Sequence, residues 1–204
     1  MARYTKQILT KALRELLREK KVNDITIHDL TDRAQVNRKT FYYHYHTLSD
    51  LLNEMCTENV RRIIGDEPIG PDNWQEKAEQ LLYFVIEERH DMLAILSSVY
   101  ARDYTAHIEE LAENIVSEFI HSAIRTYETA HGVTLLLRDQ QIEYINEYYS
   151  MALYGMVKIW FTRGMKETPE EVVHNISLLT RDHMYSTFEQ MDRENRTAGG
   201  KLAG

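Results

Sequence analysis

An all-α fold follows from three features of the 204-residue chain. Leu, Glu, Ala, Arg and Met are plentiful, and all of them favour helix. Three prolines and eight glycines are too few to punctuate the many turns of an all-β protein. Apolar residues recur at three- and four-residue spacing along most of the chain. The expected architecture is a three-helix head containing a helix-turn-helix, followed by a larger helical bundle. A hydrophobic fraction of 43% beside 27% charged residues is the composition of a globular chain able to bury a core.

Residues 4–20 place Ile8, Leu9, Ala12, Leu13, Leu16 and Leu17 on one helical face, with Lys11, Arg14, Arg18 and Lys20 opposite. Asn23-Asp24 breaks this helix. Thr26, followed three residues later by Asp29, has the form of a capping box opening a second helix to about Arg33, with Ile27 and Leu30 as core contacts. Asn37 is an N-cap for a third, from Arg38 to about Tyr43. Leu48, Leu51, Leu52, Met55, Val60, Ile63 and Ile64 then form a longer connector helix stopped by Gly65. Asp66 to Asn73, just after Gly65, holds two of the three prolines and a further glycine and reads as a loop. Further helices are expected at about 74–88, 91–101, 104–130, 139–163 and 169–192, the last opened by Thr168, Pro169 and Glu171 as N-cap, first-turn proline and N3 acid. RENRTAGGKLAG, at 193–204, lacks periodicity and is expected to be a disordered tail. The domains expected are thus 1–47, 48–192 and the tail.

The net charge of −8 conceals an asymmetry: residues 1–48 hold ten Lys/Arg against five Asp/Glu, or +5, which leaves −13 for the remainder. A short basic head on an acidic body is the division expected when one end meets a polyanion. No apolar run approaches the length of a membrane span, and MARYTKQILTKAL lacks the apolar stretch of a signal peptide, so a cytoplasmic location and no membrane role are expected. The single cysteine, Cys56, provides neither an internal disulfide nor a cysteine-based zinc site.

Within Thr26 to Tyr45, the residues Ile27, Leu30, Ala34, Val36, Phe41 and Tyr45 are spaced to fill a small core. Arg38, Lys39, Thr40, Tyr42, Tyr43 and His44 are left over, crowding one short helix with donors and flat rings. Such a helix is equipped to enter a major groove, where cations reach guanine edges and hydroxyls hold phosphates.

The runs TKQILTKALRELL and ITIHDLTDRAQVNRKTFYYHYHTLSDLL resemble the DNA-binding head of the TetR family of bacterial transcription regulators over roughly residues 5–52. Thr40 to Tyr45, Thr-Phe-Tyr-Tyr-His-Tyr, is similar to the family's Thr-(aliphatic or aromatic)-Tyr-x-His-Phe signature. The resemblance implies that Arg38 to His44 is the recognition helix, and that a larger helical domain dimerises and holds an inducer pocket. Position by position, it implies backbone contacts from Thr40, Tyr42 and His44, base-proximal roles for Arg38, Lys39 and Tyr43, and a phosphate contact from Thr26. Two departures stand out. Gln35 occupies a turn position that is usually glycine, which implies an unusual backbone geometry there, and Leu48 replaces a lysine that would contact phosphate. Leu48 and TFYYHYHTLSDLL resemble the branch that includes regulators of dihydroxyacetone kinase operons. YYSMALYGMVKIWFTRGMKETPEEVVHNISLL is similar to a TetR-type C-terminal pattern, with Gly155, Trp160, Gly164 and Pro169 in register.

The resulting expectation is a homodimeric regulator that binds an inverted repeat in double-stranded DNA, a repressor released by a small-molecule inducer. The alternative is a helical adaptor controlled by a partner protein. An enzyme is the third reading, prompted by the pairs Glu87/His90, Glu118/His121, Glu128/His131 and Glu171/His174, whose spacing occurs in helical di-metal sites. His121 falls on the solvent side of its helix and Glu171 serves as a cap, so no catalytic residue, metal site or cofactor is expected. Tyr83, Phe84, His90, Met92, Tyr100, Tyr104, Tyr148, Tyr149, Met156 and Trp160 could line an aromatic cavity, and Tyr83, His90, Tyr100, Tyr104, Tyr148 and Trp160 are put forward as the ligand-binding set. For dimerisation, the expected faces are Ile145, Tyr149, Ala152, Met156 and Ile159, with Val172, Ile176, Leu179, Met184, Phe188 and Met191.

Overall fold

The computed structural model describes residues 2–202, with side chains from Tyr4 to Ala198 except Arg181 and Asp182. Among the described residues the chain is all-α: α1 (Ala2–Glu19), α2 (Ile27–Arg33), α3 (Arg38–His44), α4 (Leu48–Ile64), α5 (Trp74–Glu87), α6 (Arg89–Leu96), α7 (Ala101–His131), α8 (Asp139–Thr162) and α9 (Pro169–Leu202), with a single 3-10 turn at Val22–Asp24. Two compact units result. One contains the chain up to Arg62 together with Phe84–Ile108, and the other contains Ile63–Tyr83 and the chain from Glu109 onward. The division falls inside α4, α5 and α7 rather than at residue 47, so α4 and α6 pack with the basic head.

In the first unit α1 buries the stripe expected of it, with Leu9, Ala12, Leu13, Leu16 and Leu17 no more than 3% exposed. Leu30 of α2, Phe41 of α3 and Leu51 and Leu52 of α4 complete a core of fully buried side chains. Ile27, Ala34 and Val36 are only half-buried. Helices of seven residues are too short to persist alone, so their caps and this core must hold them. The Thr26–Asp29 capping box forms in full, and the Asn37 side chain accepts from the Thr40 backbone N–H at 2.8 Å. At the start of α4, the Asp50 carboxylate accepts from the His46 and Thr47 N–H groups while Thr47 Oγ1 accepts from the Asp50 N–H. The turn between α2 and α3 runs through Gln35 at φ 54, a left-handed geometry, and the Gln35 carboxamide donates to the Asp32 carbonyl. Arg14 ties α1 to the rest of its unit, donating to Glu88 and to Asn59 at 2.7 Å each.

The second unit is built on long helices. Val116, Ile120 and Ala123 of α7, Ile145 and Tyr149 of α8, and Met184 and Phe188 of α9 form its core. The loop before α5 lies close to α7: a Cβ on Gly70 would come within 2.7 Å of Ser122 Oγ. Thr168 and Glu171 cap α9 reciprocally, and Pro169 takes its first position.

The expected tail is helix instead: α9 continues through residue 202, and Ala203 and Gly204 lie outside the described residues. The anchors are polar, so apolar periodicity does not reveal them. Asn195, 5% exposed, donates to the Leu136 carbonyl at 2.6 Å and to Gln141 at 2.7 Å. Asp192 accepts from the Leu136 N–H, and Arg196 donates to the Thr134 carbonyl. A second correction concerns the faces of α8 and α9. Ile145, Tyr149, Val172, Ile176, Met184 and Phe188, expected at a dimer seam, are buried within this one chain. Ala152, Ile159 and Leu179 of the expected faces are exposed, as are the large apolar residues Tyr144, Tyr148, Met151 and Leu178 of the same helices.

Candidate nucleic-acid interface and ligand cavity

Phe41 anchors α3 to the core, 0% exposed, and Tyr45 closes the helix at 4% exposed with its ring 5.8 Å from that of Phe41. Fixing these two turns the rest of the helix outward. Arg38 and Lys39 are exposed, Tyr42 is 50% and Tyr43 81% exposed, and Thr40 and His44 are half-buried. The His44 ring meets Tyr43 edge-on at 4.9 Å, which restricts both side chains. The structure therefore brings the six α3 residues singled out in the sequence onto one solvent-facing helix. Arg33 differs from the α3 cations: its guanidinium is bound to Glu15 and Glu19 and is held above its ordinary range by those bonds.

Thr26 stands at the start of α2, but its donors are committed. Its hydroxyl and its backbone N–H both donate to Asp29 Oδ2, at 2.7 and 2.8 Å. Those bonds, the hydroxyl first, and Lys20 at 2.9 Å hold the Asp29 carboxyl far below the usual carboxylate range. The Thr40 hydroxyl likewise donates to Asn37 Oδ1 at 3.0 Å. Both threonines thus position helices in this arrangement, and phosphate would have to compete for their protons.

One support was not visible in the sequence. Lys6 of α1 pairs with Glu54 of α4 at 2.7 Å and lies 5.7 Å from the Tyr45 ring centre. Burial, followed by the charges of Glu54 and Glu58, pushes the Tyr45 hydroxyl upward. The only hint was that Lys6 and Glu54 are charged residues on helices with buried stripes.

The second unit holds a partly open cavity of about 350 Å³ among α5, α7, α8, α9 and the loop before α5. Trp74, Leu82, Phe119, Tyr149, Leu153, Val173 and Tyr185 are among its walls. Tyr149 is the one member of the ten-residue aromatic group that lines it; none of the six residues put forward for ligand binding does. Tyr83 is 46% exposed and donates to Glu170 at 2.6 Å, and Tyr148 is 61% exposed. Trp160 is buried, its indole N–H donating to the Glu167 carbonyl at 3.0 Å. His90, Tyr100 and Tyr104 belong to the other unit, where His90 faces Asp91 and Tyr104 lies beside Cys56. The cause is visible at Tyr148 and Tyr149: neighbouring residues point about 100° apart on a helix. Burial pushes the Tyr149 hydroxyl up to about 12.

In three of the four Glu-x-x-His pairs the carboxylate is engaged elsewhere. Glu118 accepts from the Ile69 N–H, Glu128 from the Leu135 N–H, and Glu171 caps α9. His121 and His131 each pair with a carbonyl one turn back in α7. Among the described residues no three His, Cys, Asp or Glu side chains are grouped to hold a metal ion, and no helix is long and apolar enough to cross a membrane.

Residues 72–182, more than half of the chain, match the TetR-type family model described as the transcriptional regulator C-terminal region. The chain belongs to the TetR family of transcriptional regulators. A curated relative, the HTH-type dhaKLM operon transcriptional activator DhaS of Lactococcus lactis subsp. lactis (strain IL1403), is 20% identical over 114 residues. That match covers 55% of this chain and spans 60% of the relative's length. The solved structure of a dihydroxyacetone kinase operon activator DhaS superposes with a TM-score of 0.61 at 18% identity, covering 92% of this chain and 97% of that one. At that identity the likeness is one of fold, and it agrees with the helix-turn-helix head and helical body of this TetR-family chain.

Proposed function

We propose that this regulator binds a specific inverted repeat in double-stranded DNA as a homodimer, and that a small molecule in the second unit's cavity sets its affinity for that site. The observation that carries the DNA-binding reading is the division of α3: Phe41 and Tyr45 hold one side, while Arg38, Lys39, Tyr42 and Tyr43 face solvent. Long cations on such a face suit base edges, and the tyrosines and the partly buried Thr40 and His44 suit the backbone. Thr26 supports the site as the cap that starts α2.

Dimerisation is assigned to the exposed apolar residues of α8 and α9. Tyr144, Tyr148, Met151, Gly155 and Ile159 follow a helical face, and a Cβ on Gly155 would meet nothing within 4 Å, leaving room for a second helix. Leu178 and Leu179 add apolar area from α9. A twofold axis then presents two copies of α3 to successive major grooves, roughly 34–36 Å apart.

Control is assigned to Lys77, which lines the cavity and donates to the carbonyl of Ile64, the last residue of α4. A ligand that moves Lys77 displaces the end of the helix whose other end packs in the DNA-binding unit. Both named relatives are operon activators, whereas the sequence reading favoured a repressor. Ligand-dependent DNA affinity serves either sign. The test is selection from a random duplex library with the purified chain. An enriched palindrome with half-sites one helical turn apart is expected, and the absence of any enriched site overturns the proposal.

A further inference from the structure

We infer that the cavity takes an uncharged, largely hydrophobic molecule, and rejects carboxylates, phosphates and polyols. This rests on the reading of the cavity as the effector site. Its volume of about 350 Å³ suits a small organic ligand, at the lower end of the range of about 300–1,000 Å³ for such pockets. The rings of Trp74, Phe119 and Tyr185 contribute to the wall, with those of Trp74 and Phe119 6.2 Å apart and steeply inclined. Leu82, Leu153 and Val173 supply aliphatic surface.

The charge inventory decides the ligand class. Among the described lining residues there is no Asp or Glu, and Lys77 is the one cation. Its ammonium is already compensated, donating to the Ile64 carbonyl and lying 3.7 Å from Glu67, and its side chain is only 12% exposed. An anion entering the cavity would shed its water without a free counter-charge, a large penalty. A polyol fares little better, because each hydroxyl needs a partner and few remain. The Thr180 hydroxyl donates to the Ile176 carbonyl at 2.9 Å, and the Tyr149 hydroxyl sits 3.4 Å from His183 Nδ1. A molecule that is mostly apolar, with one or two polar atoms for Gln75 or Tyr185, leaves nothing buried and unsatisfied.

The test uses the full chain and N-phenyl-1-naphthylamine, an uncharged probe whose fluorescence rises on leaving water. Saturable binding of one probe per chain is expected, with 1-decanol displacing it at concentrations about tenfold or more below those needed for decanoate. Dihydroxyacetone, small and hydroxylated, should not displace it. Ala78→Phe, which fills space at the wall, should weaken probe binding about tenfold, while Val99→Ser, at an exposed apolar residue of the other unit, should leave it unchanged. Should Ala78→Phe fail to fold, the displacement series on the unaltered chain still decides. Decanoate displacing as well as decanol, or full probe binding by folded Ala78→Phe, overturns the inference. Operator binding is measured separately. A cavity that takes 1-decanol without changing operator affinity supports the ligand class and refutes the effector reading; a cavity that takes decanoate in preference, with operator affinity altered, does the reverse.

Discussion

The unit carrying α3 and the unit carrying the cavity use the same helical material in opposite ways. In the first, short capped helices enclose a small core, and function is left to what the core excludes: Phe41 is 0% exposed and its near neighbour Tyr43 is 81% exposed. In the second, long helices border a partly open space, and the candidate ligand site is made by residues that face the interior, as Tyr149 does at 7% exposure beside Tyr148 at 61%. A surface reader can therefore be altered with little effect on stability, whereas a cavity cannot be altered without touching the core around it.

That contrast is broken most directly at Phe41. Phe41→Ala should cost about 3–5 kcal/mol in denaturant unfolding and abolish DNA binding, because the truncated side chain leaves a void beneath α3. Tyr43→Ala, with equal chemistry removed at the surface, should stay within about 0.5 kcal/mol of the parent in stability. A comparable loss of stability in both would show that α3 has no separate outer face.

The next effect separates reading from holding. Arg38→Ala or Lys39→Ala should lose about 1–3 kcal/mol of operator affinity and relax preference at one base pair. Tyr42→Phe should weaken all duplexes alike, since a phosphate bond carries no sequence information. Titration against specific and random DNA checks this, and identical profiles for the three variants would remove the assignment. In the second unit, Asn195→Ala should cost about 1–3 kcal/mol by leaving the Leu136 carbonyl and Gln141 without their buried donor. Hydrogen exchange should then rise at the end of α9; unchanged exchange would mean that other contacts hold it.

Asp29 gives a smaller effect with a defined pH sign. Its folded-state value is depressed, chiefly by the Thr26 hydroxyl, so its contribution is present above the unfolded carboxylate value of about 3.9 and is lost as pH falls below it. Thermal midpoints of the parent and Asp29→Asn should differ at neutral pH and converge in acid. A gap that widens in acid would contradict the sign. Smallest of all, Gln35→Gly should stabilise by less than about 1 kcal/mol, as relief at φ 54 is offset by the lost bond to Asp32.

The same contrast explains what could be read in the sequence. The first unit was legible because its signals are local: Thr26 with Asp29, and Asn37 with Thr40, lie three residues apart, and Gln35 declares its strained turn by standing where glycine is usual. Its candidate recognition helix is likewise the residue set left over from a stripe. The second unit was legible as helices but not as a cavity. On long helices with apolar residues on several sides, composition marks Tyr148 and Tyr149 equally, and only packing separates them. The end of α9 was missed for a related reason, since Asn195 reaches a loop some sixty residues earlier in the chain and leaves no periodic trace.

The account's central claim, that one unit reads DNA under the control of a molecule held in the other, is tested most directly by calorimetry of 1-decanol binding with and without the selected operator. Linkage requires operator to change decanol affinity by the same factor by which decanol changes operator affinity. A matched pair of factors different from one is the expected result. Identical decanol affinity in the presence and absence of operator would contradict the claim, and control of this regulator would then have to come from a partner other than the cavity's ligand.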